Sequence, residues 1–433
     1  MKIFIGFTDV AGYFTKLRNG FLSNGHACDL VEWKRDWRSY SAADKQIYLV
    51  ILIQKISKII ISANSRTQLA FLSSLQIILK ILFFIRSVYK YDAYIFTSNE
   101  SFFSGTRLQN LDLLVLSTIR KKTYFVCLGS ESRPGYISRP YQVWMQNKTD
   151  TEYIDGLYKQ KDNLKNIEKY ATYILNHPPM AHYLTRPFIQ MLAVGSPAIT
   201  PEVFIECQKN RMNTSVRILH APSHPEIKGT EHIRKCLQEL SDEGHKFEYI
   251  EIMRKSNDEV LKEIRKCDFV VDQVYSDYPL PMFALEAASY NKPAIIGGYY
   301  VDYIDKDIEQ SYIPTSYFCH PDKIKDAIKT FILDHELRIS YGNKAADFVR
   351  HKWNAKTVAS RYIAIIKGEV PDAWLYNPND IRYMHGQGYS ESEVQQSIYK
   401  AIEIGGLESL QLLDKPILQN NFMKFSSKYI AHW

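Results

Sequence analysis

The chain has 433 residues, 45% hydrophobic and 23% charged, an ordinary globular balance that excludes a disordered protein and is long enough for two domains. A formal charge of +7 is modest at this length, and no arginine-rich or aromatic-basic segment marks nucleic-acid binding; an anionic substrate or an anionic membrane surface suits the balance better. Its six cysteines (Cys28, Cys127, Cys207, Cys236, Cys267 and Cys319) are scattered, without a CxxC or zinc spacing, so reduced thiols and a cytoplasmic location are expected.

In chain order, the opening MKIFIGFTDVAGYF meets Asp9 too early for the apolar core of a signal peptide. Residues 2–7 form a short apolar run, followed by a loop with Gly12, a helical pattern ending at Asn24-Gly25, and a second strand over 28–33. This β-loop-α-β opening predicts a Rossmann-like domain. Further strands are predicted at 93–97, 123–128, 172–175 and 191–194.

Between Asp44 and Asp92 there is no acidic residue. Lys45, Lys55, Lys58, Arg66, Lys80, Arg86 and Lys90 punctuate long runs of Ile, Leu and Phe, and on a helix Lys55, Lys58 and Ser62 share one stripe, as do Ser73, Gln76 and Lys80. Neither run holds the roughly 20 uninterrupted apolar residues of a membrane span. Two readings stand. The helices cover the first sheet, or they form a monotopic surface with apolar faces in the bilayer and lysines at lipid phosphates.

After a linker near 200–214, strands at 216–221, 247–252, 269–273 and 294–296 alternate with helices that start near Thr230, Asn257 and Phe283. The pattern predicts two parallel-sheet domains, 1–205 and 214–350, facing across a cleft, with ligands outside the carboxyl ends of the strands. A helix within 351–368 crosses back to the first domain. The extension 369–433 carries a helix opened by the capping box of Ser390 and Glu393 and stopped by Gly405-Gly406.

Candidate chemistry lies on three loops. In ILHAPSHPEIKGTEHI, Lys228-Gly229-Thr230 stands at a helix start after a strand, where backbone N–H groups, the helix dipole and the lysine favour a phosphate. Gly229 would admit close approach, and His224 contacts that phosphate or is a solvated loop histidine. In DQVYSDYPLPMFALEAASYNKPAII, Glu286 either complements a helix dipole from the first turn or accepts both hydroxyls of a ribose. In CLGSESRP, the loop from Gly129 to Arg133 holds a substrate hydroxyl or phosphate, or is a surface turn with an exposed ion pair. The 30 tyrosines suit sugar stacking and plain packing alike.

The first two segments, with FVRHKWNAKTVASRYIAI, resemble the second domain of GT-B-fold glycosyltransferases of the family-four retaining type, and YDAYIFTSN with CLGSESRP is similar to their first domain. The resemblance spans about residues 1–368. It implies that Lys228 and Glu286 carry the chemistry by holding the donor's diphosphate and ribose, with Met282 and Phe283 near the donor sugar and phosphate. Ser223, His224, Gly229, Thr230 and Gln273 complete the implied donor side; Gly12, Gly129, Glu131 and Arg133 form the acceptor side. No cofactor and no metal are implied, because the nucleotide sugar is a substrate. The implied acceptor is a glycan or lipid-linked glycan in bacterial surface-polysaccharide assembly, at the inner face of a membrane that residues 45–90 would touch. Four departures stand out. Ser223, His224 and Pro225 occupy the place of a usual arginine, Tyr278 that of the first glutamate of an E-x7-E pair, the Tyr278-Pro279-Leu280-Pro281 run that of the glycines usually flanking this loop, and Leu128 that of a histidine. A GT-B epimerase or a non-catalytic GT-B subunit binding glycan or a partner are the other classes the pattern admits.

Overall fold

The computed structural model describes residues 1–33, 47–62, 65–97, 99–139, 141, 143, 149–199 and 215–430. The expected linker at 200–214, Lys45 and Cys207 lie outside the described residues.

Two sheets carry the fold, as the alternating pattern predicts. The first contains β1 (Lys2–Phe7), β2 (Ala27–Glu32), β3 (Ala93–Thr97), β4 (Lys122–Val126), β5 (Tyr173–Asn176), β6 (Phe188–Gln190) and, from the far end of the chain, β12 (Leu375–Tyr376). Its order is β12-β6-β5-β4-β3-β1-β2, parallel except for β12. The second contains β7 (Val216–His220), β8 (Phe247–Glu251), β9 (Phe269–Val271), β10 (Ala294–Gly297) and β11 (Tyr317–Cys319), all parallel, in the order β11-β10-β9-β7-β8. Both orders reverse beside their first strand, so a crevice opens between β1 and β3 and another between β7 and β9, at the carboxyl ends. The central strands read as continuous apolar runs, such as Tyr94-Ile95-Phe96, because helices bury both faces.

The helices used below are α1 (Tyr13–Ser23), α2 (Tyr48–Ser62), α3 (Arg66–Lys90), α4 (Leu111–Thr118), α5 (Asp150–Tyr170), α6 (Thr230–Asp242), α7 (Asn257–Lys266), α8 (Met282–Ser289), α9 (Ile324–Leu333), α10 (His335–Phe348), α11 (Ala355–Lys367), α12 (Glu391–Gly405) and α13 (Pro416–Ile430). Helix α11 packs against α1 of the first domain. Tyr13 and Tyr362 share a buried hydroxyl hydrogen bond of 3.0 Å, and Lys122 Nζ donates to the Ile366 carbonyl at 2.7 Å.

Two local expectations need correction. Residues 191–194 are a short helix, and the strand precedes them at β6. A stretch buried on every side has no alternation to distinguish strand from helix. The second concerns α3, a helix of 25 residues in which an 18-residue window reaches a mean hydropathy of 1.9, long and apolar enough to cross a membrane where the sequence reading found no span. Its C-terminal half is instead anchored in the fold, where Phe83 and Phe84 pack in an aromatic cluster with Phe102. The rest of the α2–α3 hairpin exposes Ile59, Ile61, Phe71 and Ile78.

The extension is part of the first domain's core. Tyr136 donates to the Leu410 carbonyl at 3.0 Å, Lys415 to that of Leu184 at 2.6 Å, and Ile398, Phe422 and Phe425 are buried. The predicted capping box opens α12, with the Ser390 amide 2.8 Å from Glu393 Oε2. Between β12 and α12 the chain runs across the interface between the domains, where the Gly388 amide donates to the Tyr275 carbonyl at 2.9 Å and His385 stacks on Tyr299 at 4.2 Å. A Cβ on Gly386 would sit 1.6 Å from the Ile137 carbonyl oxygen, so only glycine fits this strap against the first domain.

Candidate active site

The two crevices open onto one cleft of about 420 Å³ with walls from both domains. The first domain supplies Val10, Ala11, Gly129, Ser130, Arg133 and Arg139. The second supplies Ser223, His224, Lys228, Met282, Phe283 and Glu286, with Arg254, Lys255 and Asn257, and the strap adds Gln387.

Lys228 ends a short helix, Pro225–Lys228, that Gly229 closes in the left-handed region at φ 67°. Glycine is required there for that φ, and because a Cβ would lie 2.7 Å from a Val274 methyl. The neighbour that comes close to Gly229 is therefore Val274 and not the cleft. Lys228 Nζ lies 2.5 Å from Asp272 Oδ1, and the other Asp272 oxygen accepts the Ala284 amide at 3.1 Å. Asp272 thus caps α8 from outside the helix and ties Lys228 to its first turn.

Glu286 is only 3% exposed and reaches the cleft wall. Asn257 Nδ2 donates to both of its oxygens, at 3.1 and 3.2 Å, and Lys16 Nζ, from α1 of the first domain, lies 3.2 Å from Oε1. Glu286 is the fifth residue of α8, beyond the first turn, so complementing the helix dipole does not explain it. Its carboxylate accepts hydrogen bonds where a ligand hydroxyl can replace the present donors.

Other expected residues lie away from the cleft. Thr230 is buried, with its hydroxyl 2.9 Å from His220 Nε2. His220 Nδ1 faces the Val271 carbonyl at 2.8 Å, which makes Nε2 the acceptor, and burial pulls this histidine down to about 4, so the ring is neutral. Gln273 is fully buried, and its backbone carbonyl accepts the Gly297 amide at 2.8 Å. Gly12 opens α1 at φ 73° behind Val10 and Ala11, which take the place at the wall. Glu131 accepts the Gly129 amide at 2.7 Å and faces a second pocket, where burial holds its carboxyl above the usual range.

Arg133 reaches the cleft wall, yet its guanidinium is paired with Asp277 of the second domain, both side chains being almost wholly buried. Burial pulls the guanidinium down to about 10, so it stays charged at neutral pH. Asp277 also accepts the Tyr383 hydroxyl at 3.0 Å, which brings the extension into the same contact. Tyr278 stacks on His177 of the first domain at 4.8 Å, and burial pulls that histidine down to about 3.

Sequence reasoning passed over Lys16, Arg254, Lys255, Asn257 and Gln387. Asn257 was within reach as the first residue of a helix following a sheet's carboxyl edge. Arg254 announces itself only in the backbone, as a non-glycine residue at φ 55°. Among the described residues, no group of three or more His, Cys, Asp or Glu could hold a metal ion. With Lys228, Arg254 and Lys255 at one wall, the cleft favours an anionic ligand.

No protein-family model and no curated protein matches the chain. Among solved structures, the N-terminal domain of trehalose-6-phosphate phosphatase from Candida albicans superposes with a TM-score of 0.52 at 10% identity, covering 86% of this chain and 97% of that one. An alpha-glucosyltransferase (AGT) in complex with UDP gives 0.49 at 11% identity, over 85% and 100% of the chains. HepE from Anabaena, in complex with UDP-glucose, gives 0.45 at 10% identity, over 84% and 99%. At these identities the likeness is one of fold, the two facing Rossmann-like sheets of the GT-B class.

Proposed function

We propose that this chain is a glycosyltransferase that moves a sugar from a nucleotide-diphosphate donor to a glycan or lipid-linked acceptor, with retention at the anomeric carbon. The observation that carries this reading is the juxtaposition of Lys228 and Glu286 in one cleft whose opposite wall comes from the other domain. Lys228, beside the first turn of α8, meets the charge that grows on the departing diphosphate, supported by Arg254 where the usual arginine is missing. Glu286 binds the ribose and fixes the donor's orientation. No protein nucleophile is needed, since the departing diphosphate itself accepts the acceptor's proton. The chemistry is metal-independent on this reading, because protein cations meet that charge.

We assign the enzyme to the cytoplasmic side of a bacterial membrane, in surface-polysaccharide assembly. The α2–α3 hairpin supports this assignment, since it exposes Ile59, Ile61, Phe71 and Ile78 beside Lys55, Lys58 and Arg66 in a stretch without acidic residues. The test is release of free nucleotide from UDP-, GDP- and dTDP-sugars, with and without an acceptor extract. One donor is expected to turn over with the extract, and Lys228→Ala to lose at least about tenfold in rate. No turnover of any donor, together with unchanged nucleotide binding in Lys228→Ala, would overturn the reading.

A further inference from the structure

A second pocket of about 290 Å³ opens in the first domain alone, beside the cleft. Its walls are the loop after β3, the start of α4, one face of α5 and the Ser130-Glu131 turn; Ser130 also lines the cleft, so the two spaces adjoin. The linings differ in kind. The cleft gathers cations, whereas no cation lines the second pocket among the described residues: its polar side chains are amides and hydroxyls, with the carboxylate of Glu131.

On α5, Gln160, Asn163 and Ile167 fall on one face at spacings of three and four residues. Gln160 uses its amide nitrogen to fix the neighbouring turn, donating to the carbonyls of Ser130 at 2.9 Å and Arg133 at 2.7 Å, which leaves its side-chain oxygen as an acceptor. Asn163 Oδ1 accepts from Gln109 at 3.4 Å, which leaves Asn163 Nδ2 as a donor. Asn99 and Asn110 hold the opposite loops in the left-handed region, at φ 56° and 69°. Leu113 and Ile167 add an apolar floor.

Paired acceptors and donors over a small apolar floor suit a pyranose, which offers hydroxyls at its rim and C–H groups on its faces. An anion finds no cation among the described lining residues and meets Glu131. We propose that this pocket binds an uncharged sugar unit of the acceptor chain, held beyond the reacting end while that end lies in the cleft. The proposal rests on the glycosyltransferase reading for the word acceptor, and it narrows the acceptor to a glycan of at least two units.

The test uses the full chain and ligand-observed saturation-transfer NMR with glucose, galactose, N-acetylglucosamine and rhamnose, each at millimolar concentration with and without saturating UDP. At least one sugar is expected to show transfer that persists with UDP and falls about tenfold in the double variant Gln109→Leu/Asn163→Leu, about the loss of two neutral hydrogen bonds. Both positions are solvent-exposed, and thermal melts of the variant verify its folding. No transfer from any of the four sugars, transfer unchanged in the double variant, or transfer displaced by UDP would overturn the proposal. Lys228→Ala separates the two readings: it is expected to weaken UDP binding and leave the sugar signal intact, so failure of the nucleotide site does not read as failure of the pocket.

Discussion

Two carboxylates of the second domain, Asp277 and Glu286, each reach a cation of the first domain, and they do so in opposite settings. Asp277 pairs with Arg133 where neither side chain keeps appreciable contact with water, and the Tyr383 hydroxyl completes its shell. Glu286 meets Lys16 at 3.2 Å at the wall of an open cleft, shares its oxygens with Asn257, and its lysine keeps 16% of its side-chain surface exposed. A sealed pair loses heavily when one member is removed, because the survivor is left charged and unpaired. Glu286 is nearly as buried, but Asn257 donates to both of its oxygens, so a change of partner at Lys16 leaves its carboxylate hydrogen-bonded. The first therefore acts as a fixed joint between the domains, and the second as a site.

The strongest way to break this comparison is Asp277→Ala. We expect a loss of about 3–5 kcal/mol in urea unfolding, against a smaller loss for Lys16→Met, because Asn257 still donates to both Glu286 oxygens. Equal losses would make both pairs structural.

Next comes acid. His177, stacked on Tyr278 at the same interface, has its pKa lowered by burial to about 3. Between that value and the ordinary one near 6.5, the unfolded chain binds a proton that the folded chain refuses, so stability falls as pH drops through this window, by about 1.4 kcal/mol per pH unit for each such group. His177→Phe keeps an aromatic stack and should make the acid limb shallower by about that slope in unfolding titrations between pH 6 and 4.

At the exchangeable pair the expected effects are smaller and fall on ligand. Glu286→Gln should weaken UDP binding by about tenfold in calorimetry and erase any preference for UDP over 2′-deoxy-UDP, while the melting temperature stays within a few degrees. A preference that survives would remove Glu286 from the ribose.

Smallest per residue is the effect at the surface of the α2–α3 hairpin. Neutralising Lys55 and Lys58 should reduce binding to phosphatidylserine-containing vesicles by about 1 kcal/mol per lysine and leave UDP binding alone. Undiminished vesicle binding would remove the electrostatic part of the membrane contact.

The alternation of strands and helices, and with it both crevices, was legible in the sequence because buried parallel strands print as short apolar runs between capped helices. Lys228 and Glu286 were legible because each follows such a strand on one local segment. The contacts of Lys16 and Asn257 with Glu286 and the pairing of Arg133 with Asp277 were not, since they arise from the docking of segments 29 to 270 residues apart in the chain, which no local pattern records. Gly229 and Thr230 were placed on the right junction, but one is spaced by Val274 and the other turned inward to His220; which face a junction residue presents is a tertiary matter. The two-residue β12 is too short to leave a periodicity.

The strap from β12 to α12 has a consequence for modularity. Two facing domains of similar build invite chimeras in which one half is exchanged. Here the C-terminal segment adds β12 to the first sheet, fits Gly386 against Ile137, donates from Gly388 to Tyr275 and sets Tyr383 on Asp277. Its sequence is matched to both halves at once. An exchange that cuts the chain at a single linker would therefore inherit a strap tailored to the discarded half, and a working hybrid would need residues 372–391 redesigned with the grafted domain.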